Sequence, residues 1–232
     1  MWYTLLVGRT LRTNVKDCVY HILNRANAKA QIFETKEDYQ LFEKILEEAV
    51  IKFNMRLLAY CLMPNHWHLV LYPKKDGDLS KFMNWLTLTH TQRWHARMGT
   101  TGQGHLYQGR YKSFICQEDA HFITLVRYVE RNAKKANLSK KVEDWQWSSV
   151  WRREQGTVKQ KSILSPWPVA RPRDYLEILN EPLLQVEEDA MEKAEQKGRP
   201  YGDETWTART VANFGLQITI RNRGRQRVNK GS

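Results

Sequence analysis

Cysteine is scarce: only Cys18, Cys61 and Cys116 occur in 232 residues, none at a CxxC spacing. Neither a structural zinc site nor a disulfide framework is expected, and a reducing cytosol fits. Long apolar runs are missing too. No stretch approaches the roughly 18 residues of a membrane span, and the opening MWYTLLVGRTLRTNV has too short an apolar part for a signal peptide and no small-residue cleavage site. A soluble, cytoplasmic chain without a membrane partner is the expectation. The twelve glycines form neither a GxxxxGK[ST] loop nor a dinucleotide fingerprint, so no nucleotide cofactor is expected. Acidic residues are in deficit, 25 against 37 Lys and Arg, for a formal net charge of +12. That balance favours a polyanion as partner, nucleic acid ahead of an anionic membrane surface.

The chain is 41% hydrophobic with nine Trp and ten Tyr, enough to build a core. Aromatic side chains among cations would also suit stacking on unpaired bases, although most belong to the interior. Residues 1–150 carry 22 basic and 14 acidic side chains, 151–173 carry 6 and 1, 174–195 carry 1 and 8, and 196–232 carry 8 and 2. The expected organisation is a body over 1–150, followed over 151–232 by a Pro-containing link, an acidic helical segment and a basic tail. Within the body, CVYHILN (18–24) alternates like a strand, and Thr35 with Asp38 opens a helix from Lys36 to Phe53 striped by Tyr39, Phe42, Ile45, Leu46 and Ala49. Runs 55–63 and 66–72 flank Pro64-Asn65 as a hairpin. A helix capped by Asp78 or Ser80 runs to about Met98, a strand spans 110–116, and Asp119 caps a helix to about Lys135. The order β-α-β-β-α-β predicts an α+β fold with a ferredoxin-like antiparallel sheet, which by itself decides no function.

The informative triplet is His66-Trp67-His68. On a strand the two imidazoles share one face, able to ligate one cation, while Trp67 points the other way. Taken alone, such a pair is more often surface or hydrogen-bonded histidine. A second element changes the balance: Tyr128 and Asn132 lie four residues apart on a helix, one turn from each other on one face. Asn132 can offer a carbonyl oxygen as third ligand, with the Tyr128 phenol beside the ion. Arg127, Arg131, Lys134 and Lys135 make that helix basic and suited to phosphate, or simply solvated. Tyr107 and Tyr111 flank Gln108-Gly109-Arg110 and can contact bases or phosphate; they are second choices for a nucleophile, because neither has a polar partner one helical turn away. His90 and His95 are read as surface or DNA-proximal, and Trp145 and Trp147 as closing the core. Arg221, Arg223, Arg225 and Arg227, with Lys230, form a tail that adds salt-dependent affinity or is merely solvated.

These blocks resemble the single-tyrosine HUH transposases, in particular the REP-associated tyrosine transposases. CVYHILNRANAKAQIF, AYCLMPNHWHLVLYP, GHLYQGRYKSF, RYVERNAKKANL and DWQWSSV follow the family's order across nearly all of residues 17–150. GRPYGDETW and RNRGRQR look like tail elements of longer members. The resemblance implies a nuclease and strand transferase on single-stranded DNA bearing hairpins, acting as a monomer or homodimer on the nucleoid. His66 and His68 would be metal ligands for Mg²⁺ or Mn²⁺, Asn132 the third, and Tyr128 the nucleophile that forms a 5′-phosphotyrosine. Ala133, Glu130 and Ala26 stand where many relatives have Pro, His and Gly. Two other readings stay open: a module of the same fold that binds a DNA or RNA hairpin without cutting it, and a metallohydrolase that uses only the histidines.

Overall fold

The computed structural model describes residues 13–221 and is built on a four-stranded antiparallel sheet. Its strands are β1 (Val19–Arg25), β2 (Arg56–Met63), β3 (His66–Tyr72) and β4 (Lys112–Cys116), ordered β2-β3-β1-β4. Helix α1 (Lys36–Phe53) joins β1 to β2, and α2 (Asp78–Met98) joins β3 to β4. This is the ferredoxin-like arrangement expected from the sequence.

Local chemistry sets the joints. The Asp38 carboxylate accepts from the Glu34 and Thr35 N–H groups at 3.1 and 2.8 Å, fixing the start of α1, and Asn54 ends it at φ 47°. The stripe Tyr39, Phe42, Ile45, Leu46 and Ala49 is buried as its spacing requires. At the β2–β3 turn the Pro64 carbonyl accepts from the Ile32 N–H and the Asn65 carbonyl from the Ala26 N–H, both at 2.8 Å. The segment after β1 is thereby pinned across the hairpin tip. The expected side-chain cap of α2 is corrected: Asp78 opens the helix itself, and the cap is Gly77 at φ +84° with no side-chain bond. That left-handed backbone carries no steric penalty without a Cβ.

The two sheet faces differ. Trp67, Leu69, Leu71, Tyr20 and Ile22 pack with α1 and α2 in one core, which Trp147 and the half-buried Trp145 help to close. The opposite face carries Cys61, Met63, Val70 and Phe114 and packs under α3 (Ala120–Glu130). Asp119 caps α3 by accepting from the His121 N–H at 2.8 Å. The single helix expected to Lys135 is interrupted at Arg131, and α4 (Asn132–Lys135) continues it as a short turn. Beyond lie α5 (Ser149–Gln155), α6 (Val158–Lys161), α7 (Tyr175–Asn180), α8 (Gln185–Lys197), α9 (Glu204–Asn213) and α10 (Gln217–Ile220). The acidic stretch 174–195 forms α7 and most of α8. Tyr175, Leu179, Met191 and Ala194 from this extension are buried in the same core as Val126 and Val129 of α3. Among the described residues no helix is long and apolar enough to cross a membrane.

Candidate active site

Strand parity places the histidines. In the antiparallel register Leu23 faces His68 and His21 faces Val70, so His21, His66 and His68 project from the sheet face that carries α3. His21 Nε2 and His68 Nδ1 share a hydrogen bond of 2.9 Å. The His66 and His68 rings are 5.1 Å apart, and His66 Nδ1 is bonded to Asn65 Oδ1 at 2.6 Å. Tyr128 descends from α3 onto this group, its ring edge-on at 6.1 Å from His68 and 6.4 Å from His21. The phenol and histidines that sequence spacing singled out therefore converge.

Asn132 lies one turn further along. Its Nδ2 donates to the carbonyls of Tyr128 and Val129 at 2.9 and 3.3 Å. The amide nitrogen is thus committed to the backbone, while Oδ1 accepts no hydrogen bond among the described residues.

Glu195 of α8 completes the cluster. Its carboxylate lies beside the Tyr128 phenol, and its Oε1 lies 3.6 Å from His68 Nδ1 and 3.7 Å from His21 Nε2. The His21, His68 and Glu195 ligand atoms lie within 4.8 Å of one another, a group able to hold a metal ion. Burial pushes the His21 pKa down to about 3. Burial and the Arg25 charge take His66 down to about 4, and burial with the neighbouring His21 takes His68 well below the ordinary value. All three imidazoles are neutral at physiological pH, the form that ligates metals. Burial also raises Glu195 to about 7, and burial followed by the Glu195 charge raises the Tyr128 phenol above its usual range. At rest, Tyr128 keeps its proton.

A cavity of about 360 Å³ opens beside Tyr128, lined among others by Arg25, Arg110, Lys112, Glu192 and Glu195. Adjacent strands supply the cations, since Lys112 of β4 pairs with Leu23 of β1, two residues before Arg25. These three side chains are exposed and form no ion pair among the described residues. A second groove of about 510 Å³, between α2 and the segment 105–111, shares Asn24 and Arg110 with the first.

The other sequence candidates lie elsewhere. Arg131 and Lys134 donate to the carbonyls of Leu179 and Asn180 at 2.7 and 2.9 Å, Arg127 donates to that of Glu181 at 3.4 Å, and Lys135 pairs with Glu188 at 2.8 Å. These four cations face the extension, three of them at the C-terminal end of α7, where free carbonyls attract positive charge. Arg221 is exposed at the last described position, and Arg223, Arg225 and Arg227 lie outside the described residues. The surface reading of His90 and His95 is corrected: both are buried. His90 Nδ1 is bonded to the Tyr107 hydroxyl, which also accepts from Trp67 Nε1 at 3.0 Å, so Tyr107 belongs to the core. His21, Glu195, Arg25 and Lys112 were not singled out from the sequence. His21 stood in an alternating strand whose pairing partner is 47 residues away, and Glu195 stood in an acid-rich helix with no local signal of what it covers.

The model of the family described as "Transposase IS200 like" matches residues 14–132. Among solved structures, a REP-associated tyrosine transposase bound to a REP hairpin is 16% identical with a TM-score of 0.53, covering 77% of this chain and 99% of its own. A protein of Deinococcus radiodurans R1 assigned as a transposase is 20% identical, with a TM-score of 0.39 and coverages of 53% and 97%. The tRNA(His) guanylyltransferase of Saccharomyces cerevisiae is 10% identical, with a TM-score of 0.43 and 84% of each chain covered. No curated protein matches the chain.

Proposed function

Since the chain belongs to the IS200-like transposase family, we propose that it is a metal-dependent single-stranded DNA endonuclease and strand transferase acting at hairpin-forming repeats. The structurally similar transposase that is bound to a REP hairpin supports that choice of substrate. One observation carries the reading: the Tyr128 ring lies 6.1 Å from His68, whose strand neighbour His66 is 5.1 Å away. A nucleophile and a pair of neutral imidazoles thus share one small volume.

In this reading His66 and His68 hold a divalent cation, Mg²⁺ or Mn²⁺, with Asn132 as third donor. The donor set fits, because the Asn132 amide nitrogen is tied to two carbonyls and its oxygen is left uncommitted. A cation bound there supplies positive charge to a non-bridging oxygen of the scissile phosphate. The Tyr128 oxygen attacks phosphorus, the bond to the 3′ oxygen breaks, and the products are a 5′-phosphotyrosine and a 3′-hydroxyl. Glu195, beside the phenol, can take the proton that leaves Tyr128 and return one to the 3′ oxygen. The ester preserves the bond energy, so rejoining to another 3′ end needs no nucleotide cofactor. Arg25, Arg110 and Lys112 around the cavity would contact the DNA backbone.

The test is incubation with hairpin-containing single strands and Mn²⁺, read on a denaturing gel. A covalent protein–DNA adduct is expected, absent in Tyr128→Phe while hairpin affinity is kept. Cleavage that survives Tyr128→Phe would sink the proposed chemistry, and binding without any cleavage would leave a hairpin-binding module.

A further inference from the structure

Glu195 is not needed for the family-like ligand set, yet its placement is specific. It arrives on α8, more than sixty residues after Tyr128, and its Oε1 is buried without any hydrogen-bond partner. A carboxylate oxygen in that condition is costly unless something positive meets it. Two imidazole nitrogens lie close to it. His21 Nε2 and His68 Nδ1 are 2.9 Å apart, and Oε1 is 3.7 and 3.6 Å from them. The circle through those three atoms has a radius of about 2.0 Å, which is the bond length of a divalent metal to imidazole and carboxylate. An ion at that point lies at ligand distance from all three atoms.

We propose that His21, His68 and Glu195 form a second cation site, distinct from the His66–His68–Asn132 set, which ties the C-terminal extension to the catalytic sheet. Two imidazoles and one carboxylate suit a first-row transition ion such as Mn²⁺, Co²⁺ or Zn²⁺ better than Mg²⁺. The two sites cannot be filled together through His68. A neutral imidazole has one ligating nitrogen, and the second site uses Nδ1, which in the first set is the nitrogen left for His21. Binding in the second site replaces the His21–His68 hydrogen bond: the proton held between Nε2 and Nδ1 moves to the other nitrogen of the ring that carries it, which frees both nitrogens for the ion, and Oε1 gains its missing partner. Because Glu195 also lies beside the Tyr128 phenol, the ion would lie one carboxylate away from the phenol. The site stands whether or not Tyr128 acts as a nucleophile.

Its test uses the full chain without DNA, titrated with Co²⁺ and followed by the visible d–d absorption of the bound ion. A second readout is hydrogen exchange of the α8 backbone. One equivalent should bind, and metal should slow exchange across 185–197. Glu195→Gln should weaken Co²⁺ by about tenfold or more and abolish the added protection, and His21→Asn should do the same. His66→Ala should leave both readouts in place. If His21→Asn fails to fold, Glu195→Gln, at the edge of the cavity, decides alone. Wild-type affinity and α8 protection in Glu195→Gln, with loss of both in His66→Ala, would overturn the second site and leave the proposed reaction standing. A covalent DNA adduct that never forms, with Co²⁺ binding still dependent on Glu195, would leave the site standing and remove the reaction.

Discussion

His90 is wholly buried among Phe33, Phe42 and Tyr107, and burial pushes its pKa down to about 3. An unfolded chain returns the imidazole to about 6.5. Between those values the unfolded state takes up a proton that the fold refuses, so stability rises with pH across that window and falls as acid is added. The slope for one such group is up to about 1.4 kcal/mol per pH unit. Urea midpoints at pH 7.5 and pH 5 should differ in that sense, and His90→Gln should shrink the difference; an unchanged gap would contradict the assignment. Arg152 makes a second case at this scale. It is fully buried with Glu43 at 3.1 Å and Glu47 at 2.8 Å. Arg152→Ala leaves the Glu43 carboxylate without its cation in the interior, an expected loss of about 3–5 kcal/mol in urea unfolding.

At the level of helices and strands, the cations divide into two sets with different tasks. Those of α3 and α4 are bonded to α7 and α8, whereas Arg25 and Lys112 on β1 and β4, with Arg110, rim the cavity beside Tyr128. Single-stranded DNA binding should therefore lose about 0.7 from its log–log salt slope for each of Arg25, Arg110 and Lys112 replaced by Ala. Arg131→Ala and Lys134→Ala should change the slope less and instead loosen α7. Equal slopes in the two sets would refute this division. The four strands and helices α1 and α2 are legible in the sequence. The Thr35–Asp38 signal and the stripe from Tyr39 to Ala49 belong to one local stretch, and the alternation in His66-Trp67-His68 fixes which side chains share a face. What could not be read is set by packing between distant segments. The His21–His68 contact depends on a strand register across 47 residues, and Glu195 depends on how α8 docks. The break at Arg131 likewise has no Gly or Pro to announce it.

For the whole molecule, the extension is part of the interior as well as of the site. Tyr175, Leu179, Met191 and Ala194 cover apolar side chains of α3, and each large one contributes about 1.5–3 kcal/mol by burial. Glu130, fully buried in α3, accepts from Ser149 Oγ at 2.5 Å and from the Tyr175 hydroxyl at 2.7 Å, binding the two halves with polar bonds too. The full chain should unfold in a single thermal transition, and a version ending at Arg173 should melt lower and bind a hydrophobic dye. Two separate transitions in the intact protein would show instead that the extension is energetically independent.

Trp67 has a consequence for how such a protein tolerates change. Its indole is anchored in one core by the Tyr107 hydroxyl while its neighbours on either side in the chain carry the imidazoles of the opposite face. Losing or gaining one residue at the Pro64-Asn65 turn would send the indole toward the α3 side of the sheet and drive both histidines into oil. Length at that hairpin tip is thus under tighter constraint than its exposure suggests, and natural variation there should proceed by replacement rather than by insertion or deletion.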